Sequence, residues 1–412
     1  MIKAAALYIV IIISLMIAVI SVSLLSVAFY YRLEHQKNER RDRLMTNLES
    51  GTAILLSSSF PKADTMITKS LYGSEQDSLI LERFHWGLYG VDIVKAFEQK
   101  DTIRRSFLSG CTYNDLSAIY LADEDRPLSL SGSTQITGDG ELPKSGLKQS
   151  YVEGKPYAGK ELIHGNIHSS TRDLPVLDEQ IIAELINSFN DPHGLDFKIS
   201  DSLQNSFYSP VKVYRLKKTQ QQLSGIKING RVIIVSDTIL TLSQDLFLKN
   251  VQLYAPAIVV EDGFKGSCQL FAQDSIVIGR NCEFRYPSVA GILKSEKSKI
   301  QSKITVGTGS KFRGILFSYE KGRSDLQTLI SLEKGTLVEG QVYATGYIKM
   351  EAPVSVFGKV SAKRFLMQKS ATIYENYLID VILNRSLLSK YYLSSPIFKK
   401  DIYTNQILEW LN

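Results

Sequence analysis

Few residues in this chain have the types and spacing that chemistry needs. Asp123, Glu124 and Asp125 form a carboxylate run before Arg126-Pro127 that could hold Ca²⁺. A calcium loop draws its oxygens from alternating positions, and this run lacks that spacing, so it reads as a solvated turn. His164 and His168 are four apart and would share a face on a helix. Gly165 and the Ile163/Ile167 pair point instead to strand and turn, with no third ligand at metal-site spacing. Gly307-Thr308-Gly309-Ser310-Lys311 contains part of a phosphate-loop pattern. The full pattern has four residues between its glycines and a helix after it, whereas Phe312–Phe317 reads as a strand and makes this a corner. Of the three cysteines, Cys282 falls at an inward position and reads as a small hydrophobe. Its spacing from Cys268 fits no metal-ligand pattern. Enzymes that cleave or epimerise uronic-acid polysaccharides need clustered carboxylates. Asp245, Glu261 and Asp274 have Gly263, Ser243, Gly279 and Pro256 among their equivalents one repeat away, so no acidic ladder forms. No residue is assigned a catalytic, metal-binding or cofactor-binding role, no cofactor is expected, and the chain reads as a non-enzyme.

The repeat that defines those equivalents organises the second half of the chain. From Gly225 to about Gln368 the sequence superimposes on itself in steps of 18. Leu240 and Leu242 fall on Ile258 and Val260, then on Ile276 and Ile278. After an inserted loop the pattern resumes at Ile304 and Val306, then at Ile330 and Leu332, and again at Ile348 and Met350. A further apolar position follows at Leu253, Phe271, Val289, Phe317 and Tyr343. The charged stretches Lys294–Lys303 and Glu320–Gln327 read as the inserted loops. Residues i and i+2 of a strand share a face, so this step stacks the short faces of one coil on those of the next. A single coil cannot bury its apolar edge alone. The spacing predicts a carboxy-terminal parallel β-solenoid of about six rungs over residues 201–370.

At the other end, residues 4 to 31 carry no charge, a length beyond the roughly 20 residues that span a bilayer. Leu7, Ile11, Leu15, Ile20, Leu24 and Phe29 are the expected anchor positions. Tyr8 and Phe29-Tyr30-Tyr31 lie where interfacial aromatics belong. A cleaved signal peptide has a shorter apolar core, which favours an uncleaved transmembrane helix. Arg32 to Ser58 holds no proline and one glycine, Gly51, while Leu44, Leu48, Thr52 and Leu55 recur at helical spacing. The helix is therefore expected to run on past the membrane to about residue 59. Arg32, Lys37, Arg40, Arg41 and Arg43 follow the span, and the positive-inside rule alone would keep the remainder in the cytoplasm. Glu34, Glu39 and Asp42 interleave with them as helical partners, and the reading taken here places the bulk outside.

Residues 60–200 are expected to form a β-rich middle domain, mixed α/β or all-β. A helix is possible around Val91–Lys100, a strand pair or its edge at Leu79–Trp86, and short strands with frequent turns follow Tyr120. Leu177–Phe189 reads as an amphipathic helix, with Asp178 and Glu179 in its first turn and Asp191-Pro192 closing it. It is a candidate cover for the first coil. Residues 371–412 are expected to cap the far end, with Ile407–Leu411 as a last helical turn. The fold class is thus mainly β with an amino-terminal transmembrane helix. At 412 residues two or three domains fit. The 48 basic and 42 acidic residues are spread along the chain and give no support to a nucleic-acid role.

An apolar helix that leaves the bilayer and turns amphipathic resembles the amino-terminal segment of type IV pilins and pseudopilins, closest to the minor-pilin type, over residues 1–60. Where that family's leader has glycine and glutamate, this chain has Lys3 and Tyr8. The coils resemble those of bactofilins, polymer-forming β-helical scaffolds, over residues 225–368. The likeness rests on the periodicity and on a Val-x-Gly-x-Val shape at Val338–Val342 and Val356–Val360, with a looser copy at Phe312-x-Gly314-x-Leu316. The first resemblance implies a pseudopilin-like part of a type IV pilus or type II secretion-like apparatus in the inner membrane. Its partners would be membrane lipid and other pilin-like or membrane proteins. The second implies a membrane-bound scaffold, and a surface protein that binds or cleaves polysaccharide is the third reading.

Overall fold

A computed structural model describes residues 2–411 apart from 62–63, 72–76, 153, 191–193, 197–201, 297, 323, 370–371 and 399–403. The chain is mainly β with one long amino-terminal helix. It divides into two compact units, Met1–Phe84 with Asp92–Ser106, and His85–Val91 with Phe107–Asn412.

The first unit is built on the helix Ile2–Leu56. No proline interrupts it, and its first glycine is Gly51, so nothing in its sequence breaks the hydrogen-bond ladder. Burial starts late: Leu44, Leu48 and Leu55 are buried at helical spacing. Gly51 sits on the same stretch, and a Cβ there would lie 2.8 Å from Val94 Cγ1 and 2.9 Å from Leu79 Cδ2. The helix therefore meets the strands beneath it at a distance that only glycine permits. Arg83, itself buried, donates 2.7 Å to Asp92 Oδ1. It also donates to Leu55 O, so a guanidinium closes the helix at its carbonyl end, where a cation is favoured. Arg43 pairs with Glu98 at 2.8 Å and Arg40 with Asp101 at 3.0 Å.

The expected helix near Val91–Lys100 is a strand, Tyr89–Glu98. Three β-branched residues, Val91, Ile93 and Val94, favour an extended chain, and residues of both faces are buried. Leu79–Trp86 is one strand, Asp77–Trp86, and Thr65–Lys69 pairs antiparallel with it, Thr65 opposite Arg83.

In the second unit nearly all pairing among the successive strands is parallel and follows the repeat. Leu240 pairs with Ile258, Ile258 with Ile276, Ile276 with Ile304, Ile304 with Ile330 and Ile330 with Ile348. A second column runs Leu253, Leu270, Ala290, Leu316, Val342, Val360. A third runs Phe284, Phe312, Val338, Val356. The strands close on one another as a single sheet. Strands end at Leu293 and Tyr319 and resume at Lys303 and Leu329, so the inserted stretches are connections.

Segments from distant parts of the chain join this ladder. Val360 pairs with Ile119, Val354 with Val381, Leu383 with Ile136, and Ile167 with Gly140, all parallel. The strands of residues 117–142 therefore stack beyond the last repeat, and part of the carboxy-terminal stretch lies between them as Val381–Asn384. Ile407–Leu411 is extended, inside the strand Asn405–Leu411, instead of a helical turn. Trp410 there packs edge-on against the buried Phe107 at 5.5 Å, a contact that holds this end in the sheet.

Two details of the repeat differ from the sequence reading. The aromatic column is Tyr254, Phe271, Gly291, Phe317, Tyr343, so Leu253 sits one column away from it and Val289 two. Register shifts between Lys249/Val251 and between Gly266/Gln269 move the pairing off the constant step, as bulges do. The helix Glu179–Ser188 covers this column rather than the end of the first coil. Its neighbour Phe189 meets Tyr254 edge-on at 5.1 Å, and Tyr343 donates 2.8 Å to Pro175 O. Asp178 is its N-cap, accepting from the N–H groups of Gln180 and Ile181. The Asp191-Pro192 stop lies outside the described residues.

Candidate functional site

The strongest feature of function in the described residues is a surface of side chains that water does not favour. Leu7, Ile11, Leu15, Ile20, Leu24 and Phe29 are each more than half exposed. The helix that carries them has a window of mean hydropathy 2.9 with none of it buried. Hydrocarbon or another apolar helix would recover roughly 1.5–3 kcal/mol for each large side chain covered. Two serines of the stretch bond back to the helix: Ser14 Oγ donates to Ile11 O and Ser26 Oγ to Val22 O, both at 2.9 Å. Such internal bonds satisfy hydroxyls where no water is present. One helix is thus long and apolar enough to cross a membrane.

The rung residues lie elsewhere, in one core. Leu240, Leu242, Ile258, Val260, Ile276, Ile278, Ile304, Val306, Ile330, Leu332, Ile348 and Met350 are all buried in a single cluster. Ala118, Ile119, Leu121 and Ile136, which no repeat pointed to, belong to the same cluster.

The residues with chemical potential are engaged in structure. Asp123 accepts from the N–H groups of Asp125 at 3.0 Å and Lys144 at 3.3 Å, Glu124 pairs with Arg364, and Asp125 with Arg172. His164 lies 2.9 Å from Glu161, while His168 sits in the strand Ile167–Ser169. Among the described residues no group of three His, Cys, Asp or Glu side chains could hold a metal. In the glycine-rich corner Ser310 Oγ donates to Gly279 O at 2.8 Å and accepts from Cys282 N at 2.9 Å, so the hydroxyl joins two rungs. Glu261 accepts from Ser243 Oγ at 2.7 Å. All three cysteines are buried and outside any disulfide. Burial pushes the Cys268 thiol well above its usual range, which keeps it protonated and unreactive.

Two clusters escaped sequence reasoning. Lys359 is buried with Asp115 Oδ2 at 2.9 Å and Glu141 Oε1 at 2.8 Å. Tyr392 packs edge-on against Tyr113 at 5.7 Å and lies 5.3 Å from Tyr286. Its hydroxyl donates to Gln341 Oε1 at 3.2 Å, which also accepts from Ser394 at 2.6 Å. Burial raises the Tyr392 hydroxyl well above its usual value, so it stays a donor. No local signal announces either cluster, because most of the partners are distant from one another in sequence.

No protein-family model matches the chain, and a search of curated proteins finds no match. Among solved structures there is a match to the competence-associated pilin ComZ from Thermus thermophilus. It is 10% identical, covers 84% of this chain and 86% of that one, and has a TM-score of 0.19, a likeness too low to carry an argument.

Proposed function

We propose that this chain is a pilin-like protein anchored by a single span, a non-enzymatic structural or assembly component of a type IV pilus or type II secretion-like apparatus. The observation that carries the reading is one continuous helix with two halves. Its first half is apolar and exposed, and its second half is buried through Leu44, Leu48 and Leu55. Such a helix ties a folded unit to a bilayer without a hinge. The parallel ladders are taken as the faces of a β-solenoid that presents a stiff surface, and the exposed half of the helix takes membrane lipid and neighbouring anchor helices as partners.

The inner membrane is the proposed location, with the bulk of the chain outside the cytoplasm. Two of the five basic residues that argue for the opposite orientation, Arg40 and Arg43, are paired with Asp101 and Glu98 of the folded unit. The positive-inside rule counts Lys and Arg and gives their acidic partners little weight, so these pairs do not remove the conflict. All five basic residues, Arg32, Lys37, Arg40, Arg41 and Arg43, favour the rival reading, a bactofilin-like scaffold on the cytoplasmic side.

A reporter active only outside the cytoplasm, fused after residue 411, distinguishes the two. Activity there, with the protein in the membrane fraction after a carbonate wash, is the expected result. Activity only from an amino-terminal fusion would overturn the orientation, and release by the wash would overturn the anchor.

A further inference from the structure

We propose that one face of the parallel ladder binds an extended uronic-acid polysaccharide without cleaving it. This goes beyond the anchored, pilin-like reading and does not depend on it. Charges that are spread along the sequence are sorted by the fold. The face is formed by outward residues of five successive strands in the second unit. Ile228, Leu248, Phe284 and Phe312 of these strands are buried, so the residues on either side of each point outward. Lys227 pairs with Phe247, Lys265 with Glu283 and Glu283 with Lys311. Lys249 pairs with Ser267, which sets Phe247 and Lys265, each two residues earlier, side by side. One column therefore runs Lys227, Phe247, Lys265, Glu283, Lys311. Its three lysines are exposed, as is Arg285, two residues on from Glu283. A column of the neighbouring face is different: Thr241, Val259, Val277, Thr305 and Ser331 stand in register and none is charged.

The acids present do not cancel this face. Glu283 and Glu339 both pair with Arg313, at 3.0 and 2.6 Å, and Glu409 pairs with Lys249 at 2.6 Å. Lys227, Lys265, Arg285 and Lys311 join none of these pairs. Asp245, in the turn before Phe247, sets one carboxylate against those four cations. Like charges on neighbouring strands repel. Successive lysines of the column stand about 9.6 Å apart, close to the screening length of about 8 Å at physiological salt. The ladder gains nothing from holding them together, whereas a polyanion laid along the stack would be held by all of them at once. Both carboxylates of the face are engaged by one guanidinium, so no acid and base pair stands ready for cleavage.

Spacing chooses among polyanions. Lys227, Lys265 and Lys311 recur on every second strand, whereas duplex DNA places a charge at about every 1.7 Å of its axis. That density is far beyond what this face can match. A β-1,4-linked polyuronate is an extended ribbon with one carboxylate per sugar, and its alternate sugars turn the same edge to a surface. A sparse row of ammonium groups suits it, each a point charge that needs no fixed geometry. Phe247, 43% exposed, stands between Lys227 and Lys265 in the column and supplies apolar surface of the kind a pyranose ring covers with its C–H bonds. Each of the five strands is paired on both sides, so the row is fixed before a ligand arrives.

Calorimetric titration of the full-length protein in non-ionic detergent micelles tests it. The probes are a β-1,4-linked mannuronate octamer, a neutral mannan octamer, a DNA duplex and phosphatidylglycerol added to the micelles. Saturable binding of the mannuronate octamer is expected, with none of the neutral one. Affinity should fall roughly tenfold or more when Lys227→Gln, Lys265→Gln and Lys311→Gln are combined, and binding should fade as salt rises towards about 1 M. Lys303→Gln removes an exposed cation two residues before Thr305, on the neighbouring face, and should bind as the parent chain does. The three column lysines are exposed, so the combined variant is expected to unfold at the parent's temperature. Should it fail to fold, each single variant reads the same loss at severalfold. No binding of the mannuronate octamer at millimolar concentration overturns the proposal. So does affinity unchanged in the folded column variants, or a loss in Lys303→Gln equal to theirs, which would mean net charge alone. Tighter binding of the duplex or of phosphatidylglycerol than of the octamer overturns it as well.

Discussion

Lys359 is the residue whose charge has most to lose. Its ammonium is buried between Asp115 and Glu141. Lys359 and Glu141 lie on strands that flank Ser117–Leu121 in parallel, Val360 opposite Ile119 and Tyr120 opposite Glu141, and Asp115 stands just before that strand. Burial by itself would lift the Asp115 carboxyl. The ammonium and the Ser117 N–H nevertheless hold it below its ordinary value. A depressed folded value means stabilisation that is present above the unfolded value of about 3.9 and lost as pH falls through the folded one. Lys359→Met removes the counter-charge and leaves the desolvation. The Asp115 carboxyl should then rise above its unfolded value, and the sign of its contribution reverses. The variant is expected to lose roughly 2–3 kcal/mol at neutral pH, below the cost of breaking a fully buried pair because the two carboxylates are partly exposed. It should recover part of that loss on acidification towards about pH 4. Thermal unfolding at a series of pH values checks this. A constant deficit across that range would mean that Lys359 contributes packing alone.

At the scale of the strand, the Val-x-Gly-x-Val shape has a steric cause. Gly314, Gly340 and Gly358 stack in register, and all three have positive φ, from 141° to 149°. A Cβ on Gly358 would lie 1.7 Å from Gly340 O, and one on Gly340 would lie 1.9 Å from Gly314 O. The side-chain position is occupied by the carbonyl of the strand below, so each glycine lets one coil bend onto the next. Gly358→Ala should cost at least about 3 kcal/mol. Gly146→Ala, at φ 70° with nothing within 4 Å of its would-be Cβ, should cost about 1–2 kcal/mol from backbone strain alone. Chemical denaturation of both separates close approach from strain, and equal losses would remove the steric account. The apolar spacing made the columns legible because two inward residues per face repeat in Leu240/Leu242 and their equivalents. The aromatic column was not legible in full, since register shifts are a property of the pairing and leave no mark on residue type. Gly291 shows why: it sits in that column because the Phe317 ring fills its place, 2.1 Å from where a Cβ would be.

At the scale of the molecule, the helix Ile2–Leu56 does two jobs that deletion can separate. Residues 7 to 31 are exposed throughout, so removing them takes no buried side chain from the first unit. Residues 44, 48 and 55 are buried leucines, and Arg83 donates to the carbonyl of Leu55. Three buried leucines contribute on the order of 1.5–3 kcal/mol each. Without the Leu55 carbonyl, the Arg83–Asp92 pair would be left with a buried guanidinium short of an acceptor, itself a cost of more than about 1 kcal/mol. Deleting residues 2–31 is therefore expected to give protein that stays in solution without detergent and unfolds at the temperature of the full chain. Deleting residues 2–56 should leave strands 65–69 and 77–84 without their cover, and proteolysis should cut between residues 65 and 106 within minutes while the repeat from 240 to 369 resists. If the shorter deletion also lowers the unfolding temperature, residues 2–31 contribute to folding as well as to anchoring, and the division of the helix into a lipid half and a protein half fails.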